Sequence, residues 1–317
     1  MIAEDGANNV RNYPIKLITG KIWVNNHAHV LKVNTKTNNG NFLVGAIKKI
    51  NFYRYLVGSS RYKLTVESLN QVKIKIAKQS EQEKIGELLK NIEELLTLYE
   101  RKIRLYELIF KKAIDSIVNV SNSKDTSLGN AFDVVTDYVA NGSFKSLREN
   151  VTHYSSEEYA YLIRLQDFNN HWQGPWLYTD KKGFNFLKKS KLQTGDIILS
   201  NVGSVGKVFQ APLLNKPMTL APNSILLKTE ENNEDYMYYL MLSSNFQKKL
   251  KEKVTPGVQE KINKTDLKKI KIKLPSKNQQ DSIAKLLKNI HFYIECLQQK
   301  KSYLEDIRKN LLNTMFI

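Results

Sequence analysis

Two long stretches of the chain place apolar residues at alternating spacings of three and four, the pattern of paired amphipathic helices. One falls within residues 79–118 and the other within residues 277–317, and each exceeds 30 residues. Neither is apolar on all sides, so we expect the two helices to pack on each other in an antiparallel coiled coil. Packing of each helix on its own neighbouring module is the alternative. The predicted seam consists of Leu88, Ile92, Leu95, Tyr99, Ile103, Tyr106, Phe110, Ile114 and Ile117 in the first helix, and of Ile283, Leu286, Ile290, Tyr293, Leu297, Leu304, Ile307 and Leu311 in the second.

The chain outside these helices predicts mixed α/β structure. Val72, Ile74 and Ile76 alternate with lysines, which predicts a strand with one wet face, and residues 270–274 repeat the pattern. Further strands are predicted at residues 161–168 and 196–200. Shorter helices are predicted at residues 42–56 and 235–253.

The chain repeats itself at an offset of 198 residues. Residues 70–92 align with residues 268–290 without a gap, so that the Lys-Ile-Lys triplet, Gln82 and the Leu-Leu-Lys-Asn-Ile segment all recur. A weaker match pairs residues 1–77 with residues 198–275. Residues 125–197 have no counterpart in the first copy. The chain therefore contains one and a half copies of a two-part unit, an α/β module followed by a long helix.

The net charge of +18, from 49 basic and 31 acidic residues, points to a polyanionic partner, nucleic acid before membrane. A highly charged protein without such a partner is the alternative. Net charge is +10 over residues 1–79, −1 over 80–118, +7 over 119–277 and +2 over 278–317. A basic membrane-binding helix would show the opposite distribution, so the expected polyanion site belongs to the α/β parts. With one cysteine, no apolar run long enough to span a bilayer and no apolar signal core, we expect a cytoplasmic location.

The motifs of common enzymes are incomplete in this sequence. The loop Asn201–Lys207 has two glycines and a lysine but lacks the spacing of a phosphate-binding loop, and a tight turn presenting polar groups fits it better. The nuclease-like triplet Glu100-Arg101-Lys102 falls inside the first long helix. His27 and His29 share a strand face, but two ligands do not complete a metal site. We therefore expect no catalytic residues, no bound metal and no cofactor.

Three features together resemble the specificity (S) subunit of type I restriction–modification systems. They are the segment Gly195–Ser200 (GDIILS), the segment Gly257–Asn263 (GVQEKIN), and the two repeats that run from the Lys-Ile-Lys strand into the long helix. Residues 161–168 also look like an early strand of that family's target-recognition domain. The resemblance covers essentially the whole chain and depends on the arrangement more than on any single motif.

The resemblance implies an α+β fold in which mixed α/β target-recognition domains are joined by two long helices in an antiparallel coiled coil. It implies the latter part of a first recognition domain at residues 1–78, a helical region at 79–118 and a linker at 119–124. A complete second recognition domain at 125–276 and a second helical region at 277–317 follow. The implied function is non-catalytic recognition of a split site in double-stranded DNA. Methyltransferase (M) and endonuclease (R) subunits would act there, using S-adenosylmethionine, ATP and Mg²⁺ themselves.

The sequence departs from that pattern in its first recognition domain, which begins near its midpoint. Three outcomes remain open: the partial domain folds on the long helix of the second half, reads DNA poorly, or is completed by another chain. The chain as a whole fits a truncated S subunit or a recombination cassette. A structural coiled-coil adaptor and a degenerate methyltransferase or nuclease are the alternatives from other classes.

Residues that bind DNA are expected in loops and turns, where basic and amide side chains are free to reach phosphates and base edges. We predict DNA binding by Lys145, Arg148, Asn201, Ser204, Lys207, Asn223, Gln259 and Lys261, although a solvated surface role is the alternative for each. Four apolar residues beside the predicted seam, Leu89, Leu96, Leu287 and Ile294, are predicted to dock the methyltransferase subunit.

Overall fold

The computed structural model describes residues 1–5, 13–58, 62–117, 120–257 and 259–316, which form two compact units. The first unit comprises Met1–Leu105 and Ile294–Ile317, and the second comprises Tyr106–Tyr293. Each of the two long helices is divided between the units, with one part in the first unit and the other part in the second. Among the described residues, no helix is long and apolar enough to cross a bilayer.

The first half of the chain supplies short strands and three helices. They are β1 (Ile2–Ala3), β2 (Ala28–His29), α1 (Gly40–Lys48), β3 (Leu56–Val57), β4 (Lys63–Leu64), α2 (Val66–Asn70) and the 38-residue α3 (Gln79–Ser116). Strand β1 pairs antiparallel with β2, and β3 pairs antiparallel with β4. Ile2, Tyr13, Phe52 and Leu64 form the core beneath these strands.

The second half of the chain forms a larger set of elements. They are β5 (Lys124–Ser127), α4 (Leu128–Ala131), β6 (Val134–Asp137), α5 (Phe144–Asn150), β7 (Ala160–Ile163), α6 (Leu165–Asn169), β8 (Tyr178–Thr179), α7 (Lys181–Phe186), β9 (Lys191–Leu192), β10 (Ile197–Ser200), β11 (Val208–Gln210), β12 (Met218–Leu220), β13 (Ser224–Lys228), α8 (Glu234–Leu242), α9 (Ser244–Lys251), α10 (Lys264–Lys268), β14 (Lys271–Leu274) and the 39-residue α11 (Lys277–Met315).

Three sheets organise the second unit. One has the order β11-β10-β13-β6 with antiparallel neighbours, another has the order β8-β7-β12-β9 with β7 and β12 parallel, and the third is the antiparallel pair β14-β5. The residues of β10 alternate between two cores: Ile197 and Leu199 face α8 and the long helices, whereas Ile198 faces the core it shares with Phe209 and Leu220. Burial on both faces explains why β10 is a continuous apolar run.

The two long helices run antiparallel in each unit, as the sequence predicts. In the first unit, Lys301 Nζ lies 3.1 Å from Glu100 Oε1, and Arg308 Nη1 lies 3.2 Å from Glu93 Oε1. In the second unit, the rings of Tyr106 and Tyr293 lie 4.7 Å apart. Residues later in α11 thus contact residues earlier in α3, which is the antiparallel order. The predicted α+β fold class with a pseudo-repeat is confirmed.

The seam of these helices lies one residue away from its predicted position at several points. Leu88 and Leu95, assigned to the seam, are 39% and 43% exposed, and Leu286 is 58% exposed. Their neighbours Leu89, Leu96 and Leu287 are buried instead. Apolar doublets cause this ambiguity, because spacings of three and four fit either member of a pair and only packing decides between them.

Four shorter elements also differ from their predictions. The predicted strand at 161–168 ends at Ile163, because Asp167 accepts a hydrogen bond from the backbone N–H of Arg164 at 2.8 Å and caps α6. The predicted helix at 235–253 divides at Ser243, which ends α8 and caps α9, and the predicted helix at 42–56 ends at Lys48. Residues 72–76 are not a strand, whereas their repeat forms β14 because β5 pairs with it.

One buried glutamine side chain performs the same task in each copy. In the second unit, Gln280 Oε1 accepts a hydrogen bond from the backbone N–H of Asn233 at 3.0 Å, and its Nε2 donates to the Pro275 carbonyl at 3.0 Å. In the first unit, Gln82 Oε1 accepts from the Asn39 N–H at 3.1 Å, and its Nε2 donates to the Ala77 carbonyl at 2.9 Å. Each glutamine therefore ties a long helix to the start of a shorter helix.

Replacing Gln280 by methionine keeps the side-chain length but leaves the Asn233 N–H and the Pro275 carbonyl unpaired in a buried place. We expect Gln280→Met to destabilise the second unit by about 2–4 kcal/mol. Urea unfolding measures the loss, and hydrogen exchange at the Asn233 amide should accelerate. The exposed Gln299 on the same helix is the control, since Gln299→Met should change stability by less than about 0.5 kcal/mol. Equal effects of the two substitutions would contradict the role of Gln280.

Candidate nucleic-acid interface

A groove of about 730 Å³ opens on the second unit where five chain segments meet. The end of β6 and the following turn form one side, and α5 with residues 151–153 forms another. The loop after β10, the turn before β13 and the start of α10 complete it. Its lining includes Arg148, Asn201, Asn223, Lys261 and Lys264.

The loop after β10 is held in a fixed turn. Ser200 Oγ accepts a hydrogen bond from the backbone N–H of Lys207 at 3.0 Å and donates to the carbonyl of Ser204. Gly203 and Gly206 adopt φ of 76° and 91°, the left-handed region that favours glycine. The turn leads into strand β11 and not into a helix, so it lacks the helix N-terminus of a phosphate-binding loop. The prediction of a polar turn fits this geometry.

Asn201 is fixed at the floor of the groove by its backbone. Its N–H donates to the Asn223 carbonyl at 3.1 Å, and its carbonyl accepts from the Ile262 N–H at 3.0 Å. The side chain is 9% exposed, and its Oδ1 is buried without a hydrogen-bond partner. A buried acceptor left unpaired costs free energy, so the Asn201 side chain gains a hydrogen bond if it turns toward a ligand donor in the groove.

Cations surround this acceptor. Arg148 and Lys261 are exposed and make no ion pair with any residue that the structure describes. Lys264 is different, because its Nζ lies 2.8 Å from Asp137 Oδ1. Asp137 also accepts a hydrogen bond from the Ala140 N–H at 3.0 Å and so caps the turn after β6. The groove therefore offers two uncompensated cations beside one that is already neutralised.

Aromatic side chains line the same groove. The rings of Tyr138 and His153 lie 6.5 Å apart, and Phe144 at the start of α5 is 74% exposed. Burial raises the pKa of Tyr138 and lowers the pKa of His153, so both groups are neutral near pH 7. Aromatic faces beside cations suit stacking on bases or packing on sugars.

The structure brings half of the predicted DNA-binding residues together. Arg148, Asn201, Asn223 and Lys261 line the groove, although they lie far apart in sequence. Lys145, Ser204, Lys207 and Gln259 are exposed but lie outside its lining.

The five other charged or aromatic residues of the lining were not predicted from the sequence: Asp137, Tyr138, Phe144, His153 and Lys264. Lys264 directly follows the GVQEKIN segment, and Phe144 directly precedes the predicted Lys145. The proximity of Lys264 and Phe144 to predicted positions is the feature of the sequence that could have identified them. Nothing in the sequence indicated that the turn after β6 lies opposite them.

The four residues predicted to dock a methyltransferase subunit are buried within this chain, and the docking assignment is corrected accordingly. Leu89, Leu96 and Ile294 are 5–6% exposed within the first unit, and Leu287 is 1% exposed within the second. Leu89 packs with Phe42 of α1, and Leu287 belongs to the core beneath β10. The exposed members of the same doublets are Leu88, Leu95, Leu286 and Tyr293.

Neither His27 nor His29 gathers further metal ligands. His27 Nδ1 lies 2.9 Å from Asp5 Oδ1, and His29 Nε2 lies 2.7 Å from the Leu64 carbonyl. Within the described ranges, no group of three or more His, Cys, Asp or Glu side chains could hold a metal ion.

Comparison with known proteins identifies relatives along most of the chain. The model of the type I restriction modification DNA specificity domain matches residues 11–105 and 135–306. A Haemophilus influenzae protein named as a type I restriction enzyme specificity subunit is 42% identical over 89 residues, 28% of this chain and 23% of that protein. The MjaX specificity subunit of Methanocaldococcus jannaschii is 24% identical over 289 residues, 86% of this chain and 66% of its own length. The chain thus spans less than two thirds of these relatives.

Two solved structures share the fold. The S subunit of a type I restriction-modification system from M. genitalium gives a TM-score of 0.57 at 15% identity, over 87% of this chain and 72% of that one. A chain from a structure of type I R-M complex assembly and conformational transition gives 0.54 at 15% identity, over 90% of this chain and 73% of that one.

Burial lowers the pKa of His153, so the folded protein should resist protonation at this ring. The unfolded chain binds the proton at its ordinary pKa, and the folded chain binds it only at lower pH. The contribution of His153 to the free energy of unfolding is therefore fully present above pH 6.5. It falls as the pH decreases toward the lowered pKa of the folded protein. Ring-proton NMR should place the midpoint below 6.5. In His153→Gln, the loss of stability between pH 7 and pH 5 should be smaller than in the unsubstituted protein.

Proposed function

We propose that this chain, which belongs to the type I restriction modification DNA specificity family, binds double-stranded DNA along the groove of its second unit. The convergence of Arg148, Asn201, Asn223 and Lys261 from four separate segments is the observation that carries the proposal. Positive side chains, amide side chains and aromatic rings in one groove match the chemistry of phosphates, base edges and base faces.

The roles of these residues divide by their chemistry. Arg148 and Lys261 bind phosphates and supply affinity that does not depend on sequence. Asn201 and Asn223 read base edges, because an amide can accept from and donate to adenine in a bidentate contact. The unpartnered Asn201 Oδ1 is suited to an exocyclic amino group of a base. Lys145, Ser204, Lys207 and Gln259 extend the contact beyond the groove.

The first unit contributes mainly electrostatic attraction in this proposal. Residues 1–79 carry a net charge of +10, more than the +7 of residues 119–277. The boundaries proposed for the parts of the chain are 1–78, 79–118, 119–124, 125–276 and 277–317. The two recognition parts contact the two halves of a split site, and the long helices set the distance between the halves.

The chemistry on DNA belongs to partners in this proposal. The chain directs adenine methylation and restriction by M and R subunits, which use S-adenosylmethionine, ATP and Mg²⁺ themselves. The complex-assembly structure that shares this fold comes from such a system. We propose docking residues separately for each unit, Leu88 and Leu95 in the first and Leu286 in the second, because exposed leucines on a paired helix favour contact with another protein.

Lys261→Gln should weaken binding to all DNA sequences by similar factors. Loss of one phosphate contact lowers the slope of log affinity against log salt by about one. Fluorescence anisotropy with labelled duplexes from 50 to 300 mM salt measures this slope. Lys285→Gln is the matched control, since Lys285 is an exposed cation on α11 outside the groove. Equal slopes for Lys261→Gln and Lys285→Gln would contradict the proposed site.

Asn201→Ala should change sequence preference more than overall affinity. Loss of a bidentate base contact costs about 1–3 kcal/mol at one position of the target and little elsewhere. Co-expression with the M subunit, followed by sequencing of methylated adenines, measures the recognised motif. We expect one position of the motif to become degenerate in Asn201→Ala and the motif to be retained in Gln299→Ala. An unchanged motif in both variants would refute base reading by Asn201, and the absence of methylation in the unsubstituted complex would refute the proposed function.

A further inference from the structure

We propose that a cavity in the first unit binds a small organic anion with an apolar body and one negatively charged head. The cavity measures about 280 Å³ and lies where α1, α3, α11 and residues 15–17 meet. All of its lining residues belong to the first unit. The inference does not depend on DNA recognition. It comes from comparing this junction of helices with the corresponding junction in the second unit.

The corresponding junction of the second unit is filled by three rings. Helices α1 and α8 each have nine residues and begin after an asparagine cap, so Gly45 corresponds to Tyr239. Tyr239 is 3% exposed, and its ring lies 5.7 Å from that of Phe110. The Phe110 ring in turn lies 5.3 Å from the His291 ring. Aromatic packing therefore occupies the space between α8, α3 and α11.

The first unit has no aromatic residue at any of these three positions. The repeat of the long helices places Arg308 at the position of Phe110 and Glu93 at that of His291. Arg308 Nη1 lies 3.2 Å from Glu93 Oε1, so an ion pair replaces the contact between the two rings. The third position is Gly45, which has no side chain to fill the junction. Protein interiors leave few voids of this size, so the open space is a candidate ligand site.

The cavity has an excess of positive charge. Its charged lining consists of four cations and one carboxylate: Lys16, Lys48, Lys90, Arg308 and Glu93. The carboxylate of Glu93 contacts two of these cations, because Lys48 Nζ also lies 3.0 Å from its Oε1. Lys90 Nζ lies 3.7 Å from Glu94 Oε1, and Lys16 forms no ion pair within the described ranges. A negative group in the cavity would be attracted by this excess.

A neutral residue in α1 leaves room for that negative group. In the second unit, Lys288 Nζ lies 2.9 Å from Asp235 Oδ2 in the first turn of α8. The counterparts in the first unit are Lys90 and Asn41, and both line the cavity. Helix α1 contains no acidic residue, so it offers Lys90 no carboxylate. The charged head of a ligand would take the place that the Asp235 carboxylate has in the second unit.

The cavity also has an aliphatic part. Five of its lining side chains are aliphatic: Ile15, Leu17, Val44, Leu89 and Leu312. An inorganic anion would leave these side chains without a contact, and an uncharged apolar molecule would leave the cations without a partner. Ligand sites typically combine a mainly apolar lining with a few placed polar groups. The expected ligand therefore has a carboxylate, sulfonate or phosphate head on a small apolar body.

The probe for this site is anilinonaphthalene sulfonate, whose fluorescence increases when its rings leave water, titrated into the full chain. Asn41→Asp should weaken its binding at least about fivefold, because the introduced carboxylate pairs with Lys90 and repels the sulfonate. Asn26→Asp is the matched control, since it makes the same change of charge at an exposed turn of the first unit outside the lining. It should change the affinity by less than about twofold.

Competition tests the two parts of the ligand. Octanoate should displace the probe at a concentration at least about tenfold lower than either acetate or octanol, because only octanoate has both the charged head and the apolar body. Lys90→Gln should weaken the binding of octanoate severalfold. Lys84→Gln should leave it unchanged, since Lys84 is an exposed cation on the same helix outside the lining. Circular dichroism confirms that each variant is folded.

Three results would overturn the proposal. The first is the absence of saturable binding of the probe to the unsubstituted chain. The second is an equal effect within either matched pair, Asn41→Asp with Asn26→Asp or Lys90→Gln with Lys84→Gln. The third is equal displacement by octanoate, acetate and octanol.

Discussion

Each copy of the repeat depends on one buried glutamine. Its side-chain amide makes hydrogen bonds to several backbone groups that water would otherwise satisfy. Gln280 is 3% exposed and Gln82 is 2% exposed, and each lies in the first turns of a long helix. Each accepts from the N–H of an asparagine that caps a shorter, earlier helix: Asn233 accepts from Tyr236 at the start of α8, and Asn39 accepts from Phe42 at the start of α1. Because a buried amide must satisfy its donors and its acceptor, this contact fixes the angle at which the shorter helix leaves the long one.

The fixed contact explains why the repeat could be detected from sequence while its details could not. Glutamine, the Lys-Ile-Lys triplet and the Leu-Leu-Lys-Asn-Ile segment recur because each has a defined task in the packing. The buried face of each long helix, in contrast, is determined by which member of a leucine doublet the neighbouring elements cover. Leu88 and Leu89 are equivalent by spacing, and only the packing of Leu89 against α1 distinguishes them. A pattern alone therefore located the helices but not their buried face.

The candidate site shows the same division between local and long-range information. Turn residues such as Asn201 and Asn223 could be predicted, because glycines and asparagines identify loops whatever surrounds them. Their convergence required the backbone bonds from Asn201 to Asn223 and Ile262, which join segments more than 20 residues apart. Residues such as Tyr138 and His153 belong to the groove only through the sheet that carries β6. The strand predicted at residues 72–76 was wrong for a related reason, since a strand exists only with its partner.

The first unit differs from the second at the positions that correspond to the groove. In the proposed function, this difference gives the two units different roles. The isolated bridge between Asp5 and Lys63 in the first unit repeats the bridge between Val202 and Lys261 in the second. Glu4 consequently occupies the place of Asn201. Lys63 Nζ lies 2.8 Å from Glu4 Oε1, and hydrogen bonding from Lys63 lowers the pKa of that carboxyl. A cation beside a carboxylate gains less from a phosphate than one beside a neutral amide, and a carboxylate repels phosphates. In the proposed function, the second unit is thus the better equipped to read bases, and the charge of the first unit acts mainly through its remaining surface.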